Sequence, residues 1–350
     1  MGLFSSAPNS YLGIDIGTSS IKVVELAKEK GQAKLLTYGF SEYSGEGQDD
    51  WQNNTDFIAK SINKICKKAS TNSKNAVSAL PTFSVFSSIL NLSNISKKDI
   101  ASAVHWEAKK VVPLPLEEMI LDWRKVEDYK SESKNGKNNI RVLLTGAPRS
   151  LVKKYIETFK KAQINLLSLE TETFSLVRSL LGNDKSTIML VEIGANTTDV
   201  SIVDNSIPIL NRSIDVGGGT ITQAISDQLK IGADRAEQFK YDLGISSMDS
   251  KEDVIPKIII ESISPIVNEA KYAANLFQSK NVKKIEKIVL SGGSAFIPNL
   301  TNYLTKALDM KVIIGNPWNR ISYPVDLEPL LNEIGPRMSV AIGLALREIE

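Results

Sequence analysis

One cysteine, Cys66, and one histidine, His105, are all that this 350-residue chain has of either. A lone cysteine excludes a disulfide framework and fits a reducing compartment. A lone histidine excludes a multi-histidine metal site. His105 stands beside Trp106 in a helical stretch, where a surface or packing role fits it. An excess of one charge is missing too: 42 Lys and Arg face 40 Asp and Glu, for a net charge of +2. The basic residues are scattered rather than striped, so nothing points to nucleic acid. No apolar run approaches the length of a membrane span. No cationic segment followed by an apolar core marks a signal peptide, and the cytosol is the expected compartment. Hydrophobic content of 42% and charged content of 23% are ordinary for a soluble globular protein. The length points to about two domains.

What is present centres on Leu12–Leu26, LGIDIGTSSIKVVEL. It reads as a strand, a tight polar turn and a second strand. Asp15 ends the first strand, and Gly17 lets the backbone turn without a Cβ clash. Thr18, Ser19 and Ser20 offer successive donors, with Lys22 just beyond. Successive N–H groups in a turn form a small anion-binding concavity. A carboxylate beside such a cradle suggests magnesium, which takes one or two carboxylates with waters and phosphate oxygens. Alone the turn is weak, since most such hairpins simply join strands. Residues 188–203, IMLVEIGANTTDVSIV, repeat the layout: an apolar strand, the acid Glu192, a small polar turn from Gly194 through Ala195 and Asn196 to Thr197, then Asp199 in a β-rich strand. A third stretch, Lys287–Leu300, has a strand, a double-glycine turn at Gly292, Gly293 and Ser294, and a helix with Pro298 near its start. The set is specific where each member is not.

In chain order, Lys34–Phe40 reads as a third strand, Ser41–Asn54 as a loop, Thr55–Lys68 as a helix capped by Thr55, and Asn75–Leu80 as a buried strand. Residues 83–169 read as an inserted unit of order βαββαβ. It has a strand at Val85–Leu92, a helix at Ser96–Val112 capped by Ser96, strands at Met119–Tyr129 and Asn139–Ala147 around a loop at Lys130–Asn138, a helix at Ser150–Ala162 and a return strand at Ile164–Leu169. Glu170–Leu181 is predicted as a helix. Asp215–Thr220 breaks a strand and starts another helix, and its three glycines suit phosphate binding or close strand–helix packing equally. Ile259, Ile263, Ile266, Ala270, Ala273 and Phe277 form a seam that suits a buried spine helix or a coiled coil.

These features resemble the actin-like ATPase superfamily, and within it the PilM family of type IV pilus assembly proteins, relatives of the cell-division protein FtsA. The resemblance spans nearly the whole chain and is strongest at Gly13–Glu25, Glu107–Pro115 with Asp122, Glu192–Asp199, Ala236–Gly244 and Ala341–Arg347. It implies an α/β fold of two lobes around a nucleotide cleft, with an inserted FtsA-like 1C subdomain. Residues 1–82 would begin lobe 1, 83–169 form the insert, 170–185 the connecting helix, 186–222 the second hairpin region, 223–284 a helical 2B-like subdomain, 285–320 the nucleoside-binding part, and 321–350 a return to lobe 1. The implied cofactors are ATP and Mg2+. Asp15, Glu192 and Asp199 would face the metal through waters. Gly17, Thr18, Ser19, Ser20 and Lys22 would hold phosphates from one lobe, and Gly194, Ala195, Asn196 and Thr197 from the other. Glu237 and Lys240 would approach ribose and adenine, although a solvated helix face is the simpler reading of both. Gly292, Gly293 and Ser294 would lie beneath the nucleoside.

The chain departs from the superfamily at Glu192, where Asp is usual. Moving a catalytic carboxylate by about 1 Å costs on the order of 100-fold in rate. Glu172 would order the attacking water or simply favour a helix N-terminus. ATP binding with at most slow hydrolysis is therefore the expectation. The implied partner is the cytoplasmic N-terminal segment of a PilN-type bitopic inner-membrane protein, seated between lobe 1 and the insert, with other pilus-machine components beside it. The protein would reach the inner face of the membrane through such partners. Two alternatives belong to other classes. An FtsA-like filament protein would carry a C-terminal amphipathic anchor, which is not expected after Glu350. A small-molecule kinase needs a further carboxylate base on the substrate hydroxyl, and none stands out.

Overall fold

A computed structural model describes residues 9–43, 54–93, 95–96, 98–126, 139–245, 254–279 and 283–350. The start of the polar lead, most of the expected Ser41–Asn54 loop, the end of the Met119–Tyr129 strand and the Lys130–Asn138 loop lie outside the described residues.

The first lobe begins with β1 (Ser10–Ile16), β2 (Ser20–Glu29) and β3 (Gln32–Glu42), then α1 (Thr55–Ala69) and β4 (Asn75–Leu80). The insert follows, with β5 (Phe86–Ser93), α2 (Ile100–Val111), β6 (Met119–Val126) and β7 (Asn139–Pro148), and the chain returns through α3 (Arg149–Lys161) and β8 (Asn165–Thr171). The short α4 (Glu172–Leu176) runs into a π-helical turn at Val177–Leu181. The second lobe holds β9 (Ile188–Ile193), β10 (Thr198–Asp204), β11 (Ile207–Ile214), α5 (Gly218–Leu229), α6 (Ala233–Leu243), α7 (Val254–Gln278), β12 (Lys287–Ser291), α8 (Leu300–Leu308) and β13 (Val312–Ile314). The chain closes with β14 (Ile321–Ser322) and α9 (Glu328–Leu346).

Two sheets face a shared helical layer. The first has the order β14-β3-β2-β1-β4-β8 and the second β11-β10-β9-β12-β13. Strand alternation sorts the side chains by face. Leu12, Ile14, Ile16, Ile21 and Val23 pack against Ile58, Ile62, Ile65, Tyr155 and Phe159 of α1 and α3. Val24 and Leu26 turn the other way, onto Met338, Ala341, Ile342 and Ala345 of α9. The opposite stripe of α9, Val340 and Leu344, joins Leu176 and Val177 in covering Val77 of the first sheet and Ile188, Leu190 and Val289 of the second. The seam of α7 is buried against the far face of the second sheet, as a spine helix.

Glycines set how closely α9 approaches β1 and α4. A Cβ on Gly13 would stand 1.8 Å from the Ala341 carbonyl oxygen, and one on Gly343 would stand 2.0 Å from that of Ser175. Glu25 is fully buried and accepts hydrogen bonds from Ser10 Oγ and the backbone N–H groups of Asn72 and Ser73. It thereby fastens the α1–β4 connection to the first hairpin.

Several boundaries differ from the sequence reading. Asn54, not Thr55, caps α1, its side chain accepting from Phe57 N at 3.0 Å. The helix of the insert starts at Ile100, because Ser96 is spent on a turn in which its hydroxyl donates to Asp99. The segment from Glu170 begins as strand, since β8 pairs with β4 up to Leu80↔Thr171. That pairing also redraws the insert. Only β5, β6, β7 and α2 share a separate sheet and core, in the order β5-β7-β6, whereas α3 and β8 build lobe 1. The sequence pattern shows the strand of Ile164–Leu169 but not which sheet recruits it.

Overpacking a close backbone contact costs about 1–3 kcal/mol, and more where neither side can yield. Gly343→Ala and Gly13→Ala should each lower the unfolding free energy measured by urea titration by at least that much. Gly232→Ala, with open space around its Cβ, should stay within about 0.5 kcal/mol of the parent.

Candidate functional site

The two hairpins are built alike. In the first, Asp15 pairs with Lys22 across β1 and β2, and Gly17 N donates to Ser20 O at 3.0 Å. In the second, Glu192 pairs with Asp199 across β9 and β10, and Gly194 N donates to Thr197 O at 2.9 Å. The polar turns sit at equivalent ends of the two sheets. Asp15, Gly17, Thr18, Ser19, Lys22, Glu172, Glu192, Gly194, Ala195, Thr197 and Asp199 line one recess of ≈ 60 Å³. That is room for several waters at about 10–15 Å³ each.

Charge is unbalanced in this recess. Four carboxylates, Asp15, Glu172, Glu192 and Asp199, share the recess with the ammonium of Lys22, which is 2.9 Å from Asp15 Oδ2. Burial, with the charges of Asp199 and Asp15, pushes Glu192 up to about 8, and Lys22 only partly offsets this. Burial pushes Asp199 up to about 6, with the hydroxyls of Ser213 and Thr82 drawing it partly back. Glu172 is raised well above the usual carboxylate range by burial and by its three acidic neighbours. Its Oε2 accepts from Thr82 N at 2.8 Å and from Thr82 Oγ1 at 3.1 Å. Asp199 Oδ1 is buried without a hydrogen-bond partner.

The recess is short of cations and has a buried oxygen to spare, so its chemistry suits a divalent cation. Among the described residues no group of three or more His, Cys, Asp or Glu side chains is placed to hold a metal directly.

Beyond the recess a cavity of ≈ 950 Å³ opens between the lobes, within the size range of small-molecule sites. Ser19, Ser20, Lys22, Glu192, Gly194 and Ala195 stand at its end nearest the acidic recess. Glu237, Lys240, Gly292, Gly293 and Ser294 line the other end. Lys240 is not on a solvated face: it is 1% exposed, and its Nζ donates to Glu237 Oε2 at 2.6 Å, Thr222 Oγ1 at 2.9 Å and Gly218 O at 3.2 Å. Burial draws its pKa down, partly offset by Glu237. The glycine run before α5 serves packing: Gly218 N and Gly219 N donate to the carbonyls of Gly194 and Ala195, and a Cβ on Gly218 would stand 2.2 Å from Ser294 Oγ. Gly292, at φ +85°, donates to Pro336 O, and a Cβ there would meet Ile193 O at 2.3 Å.

Of the residues expected here, Asn196 stands apart, exposed at its turn and outside both cavities. Residues not singled out from the sequence also line the larger cavity: Tyr43, Glu42, Tyr241, Phe296, Asn332, Glu333 and Arg337. Tyr241 donates to Gly293 O at 3.1 Å, and burial pushes its hydroxyl up to about 12. Its position next to Lys240 was the available signal. Arg337 pairs with Glu42 and lies 4.5 Å over the Phe40 ring.

The family of the type IV pilus assembly protein PilM matches residues 13–349. FtsA of Neisseria meningitidis is 23% identical over an alignment covering 95% of this chain and 88% of that protein. Among solved structures, a PilM–PilN type IV pilus biogenesis complex superposes with a TM-score of 0.82 at 23% identity, covering 98% of this chain and all of the other. MreB5 of Spiroplasma citri bound to ADP gives 0.54 at 12% identity, covering 96% and 94%. The fold is thus actin-like. Among the described residues no helix is long and apolar enough to cross a membrane.

The raised carboxylates make stability depend on pH. Glu192 moves from 4.5 to about 8 and Asp199 from 3.8 to about 6, so between these limits the folded chain holds protons that the unfolded chain has released. Stability then falls as pH rises from about 4 to 8. In metal-free buffer the unfolding temperature should drop across pH 6 to 8.5, and Glu192→Gln should flatten that slope. Differential scanning calorimetry at several pH values measures both.

Proposed function

The chain belongs to the PilM family of type IV pilus assembly proteins, and on that premise we propose that it is an ATP-binding platform of the pilus machine. It would work at the cytoplasmic face of the inner membrane, receiving the N-terminal segment of a PilN-type membrane protein. The observation that carries the nucleotide part is the pair of like-built hairpins over one acidic recess, Asp15 with Lys22 facing Glu192 with Asp199. Asp15, Glu192 and Asp199 would hold magnesium through waters, and the ion would neutralise phosphate charge. The backbone of Gly17–Ser20 and Gly194–Thr197, with Lys22, would cradle the phosphates. Glu237, Lys240, Tyr241 and Gly292–Ser294 would enclose the nucleoside. Slow turnover follows from Glu192, which is the longer acid and displaces the carboxylate from where the usual Asp would place it.

The partner surface rests on the insert. Val111 and Leu114 are exposed, at 38% and 43%, while Leu116 packs onto the core of the insert. Two apolar anchors beside the basic pair Lys109 and Lys110 suit an extended segment with apolar and acidic positions.

Hydrogen bonds to charged groups contribute about 1.5–3 kcal/mol each. Asp15→Ala should therefore weaken Mg·ATP binding about tenfold or more in titration calorimetry; equal affinity for the two proteins would remove the site assignment. Wild-type hydrolysis without partner should stay below about 0.1 s⁻¹, against a typical enzyme value of about 10 s⁻¹. Lys110→Glu with Leu114→Ser should reduce binding of a PilN-type N-terminal peptide, with ATP affinity and unfolding temperature unchanged. Unchanged peptide binding in that folded variant would move the groove elsewhere.

A further inference from the structure

Thr82 stands where the chain leaves lobe 1 for the insert. β4 ends at Leu80, Pro81 and Thr82 open a single 3-10 turn, and β5 starts at Phe86. At this junction Thr82 presents two donors, N–H and hydroxyl, to one carboxylate oxygen, Glu172 Oε2. The other oxygen, Oε1, makes no hydrogen bond among the described residues, and Glu172 lines the acidic recess. Asp199, whose Oδ1 is buried and unpartnered, feels the same hydroxyl.

On its other side this junction meets lobe 2. On the side away from the recess, Thr82, Phe83, Val85 and Ser87 face Asn211, Arg212, Ser213 and Asp215 of lobe 2 across a cavity of ≈ 520 Å³. Phe83 lines this cavity and the acidic recess alike. A second contact joins the insert to the connecting segment, Arg124 of β6 lying 3.9 Å over the Phe174 ring of α4. A rotation of the insert about that contact would carry the Thr82 turn along the carboxylates.

We propose that Thr82 is a positioning residue that ties the orientation of the insert to Glu172, so that a partner seated on the insert sets the nucleotide site and bound nucleotide sets the insert. This deepens the ATP-binding reading and rests on it. Thr82 touches neither phosphate nor metal and acts through the carboxylate it holds. Coupling of this kind is reciprocal, since whatever one site does to the other's affinity is returned by the same factor.

The test uses the full chain and two variants. Thr82→Val keeps the shape and the backbone donor but removes the hydroxyl, and Thr82→Ser restores it. Mg·ATP affinity is read by calorimetry, hydrolysis by phosphate release, and the state of the insert by hydrogen–deuterium exchange of peptides covering residues 82–93, with and without Mg·ATP. Expected for Thr82→Val are affinity within about threefold of wild type, hydrolysis at least about tenfold slower, and no nucleotide-dependent change in exchange. Thr82→Ser should regain both responses. A Thr82→Val protein that hydrolyses and responds like wild type overturns the inference alone. So does a lowered unfolding temperature in both variants with the response lost in both, which marks Thr82 as structural. Wild-type protein that fails to bind Mg·ATP at millimolar concentration overturns the nucleotide reading, and this inference with it.

Discussion

Four carboxylates around one ammonium constrain everything else in this molecule. Asp15, Glu172, Glu192 and Asp199 come from three separate segments, and each is held by an element with its own packing. Left alone they repel, and burial raises the cost of every ionised oxygen. Burial and mutual repulsion favour the protonated forms of Glu192 and Glu172. The lobes can therefore be brought this close only because two hairpins, one connecting helix and α9 fix them by backbone contacts that the charges cannot push apart. The stability of the scaffold is what holds the recess in a state ready for a cation.

The end of the cleft lined by Glu237 and Lys240 obeys the opposite rule. Lys240 is buried with its charge matched by Glu237 and its remaining donors met by Thr222 and the Gly218 carbonyl. α5 and α6 are joined where Lys240 of α6 donates to Thr222 Oγ1 and Gly218 O of α5, and the Gly218 and Gly219 amides join α5 to the second hairpin. One end of the cleft is thus electrostatically unsatisfied and the other already satisfied by protein alone. The first has capacity for a charged ligand, while the second offers shape.

Legibility from sequence followed the range of the interactions. Each hairpin is local: strand, glycine turn and strand lie within about 15 residues, so Asp15, Lys22, Glu192 and Asp199 were readable by type and spacing. Their convergence on one recess was readable only through the family resemblance, since no single-sequence pattern states that two distant turns meet. The path of α3 and β8 was misread for the same reason. Their own patterns are correct, but the partner strand β4 lies far away in sequence, and only pairing decides to which sheet β8 belongs. Thr82, Tyr241 and Arg337 escaped because each acts through a neighbour that carries the recognisable chemistry. A threonine after a proline announces nothing until Glu172 is seen against it. Lys240 shows the limit from the other side, since a lysine in a polar helix looks solvated until tertiary packing closes over it.

α9 has a consequence for how the chain comes into being. It supplies one wall to the first sheet through Met338, Ala341 and Ile342 and one to the second through Val340 and Leu344. It is also made after every other described element. During synthesis both sheets must leave the ribosome with one apolar face uncovered, and they wait for the same helix. The lobes then cannot mature one after the other as independent units. They are completed together in a single late docking event, during which the acidic recess first takes shape.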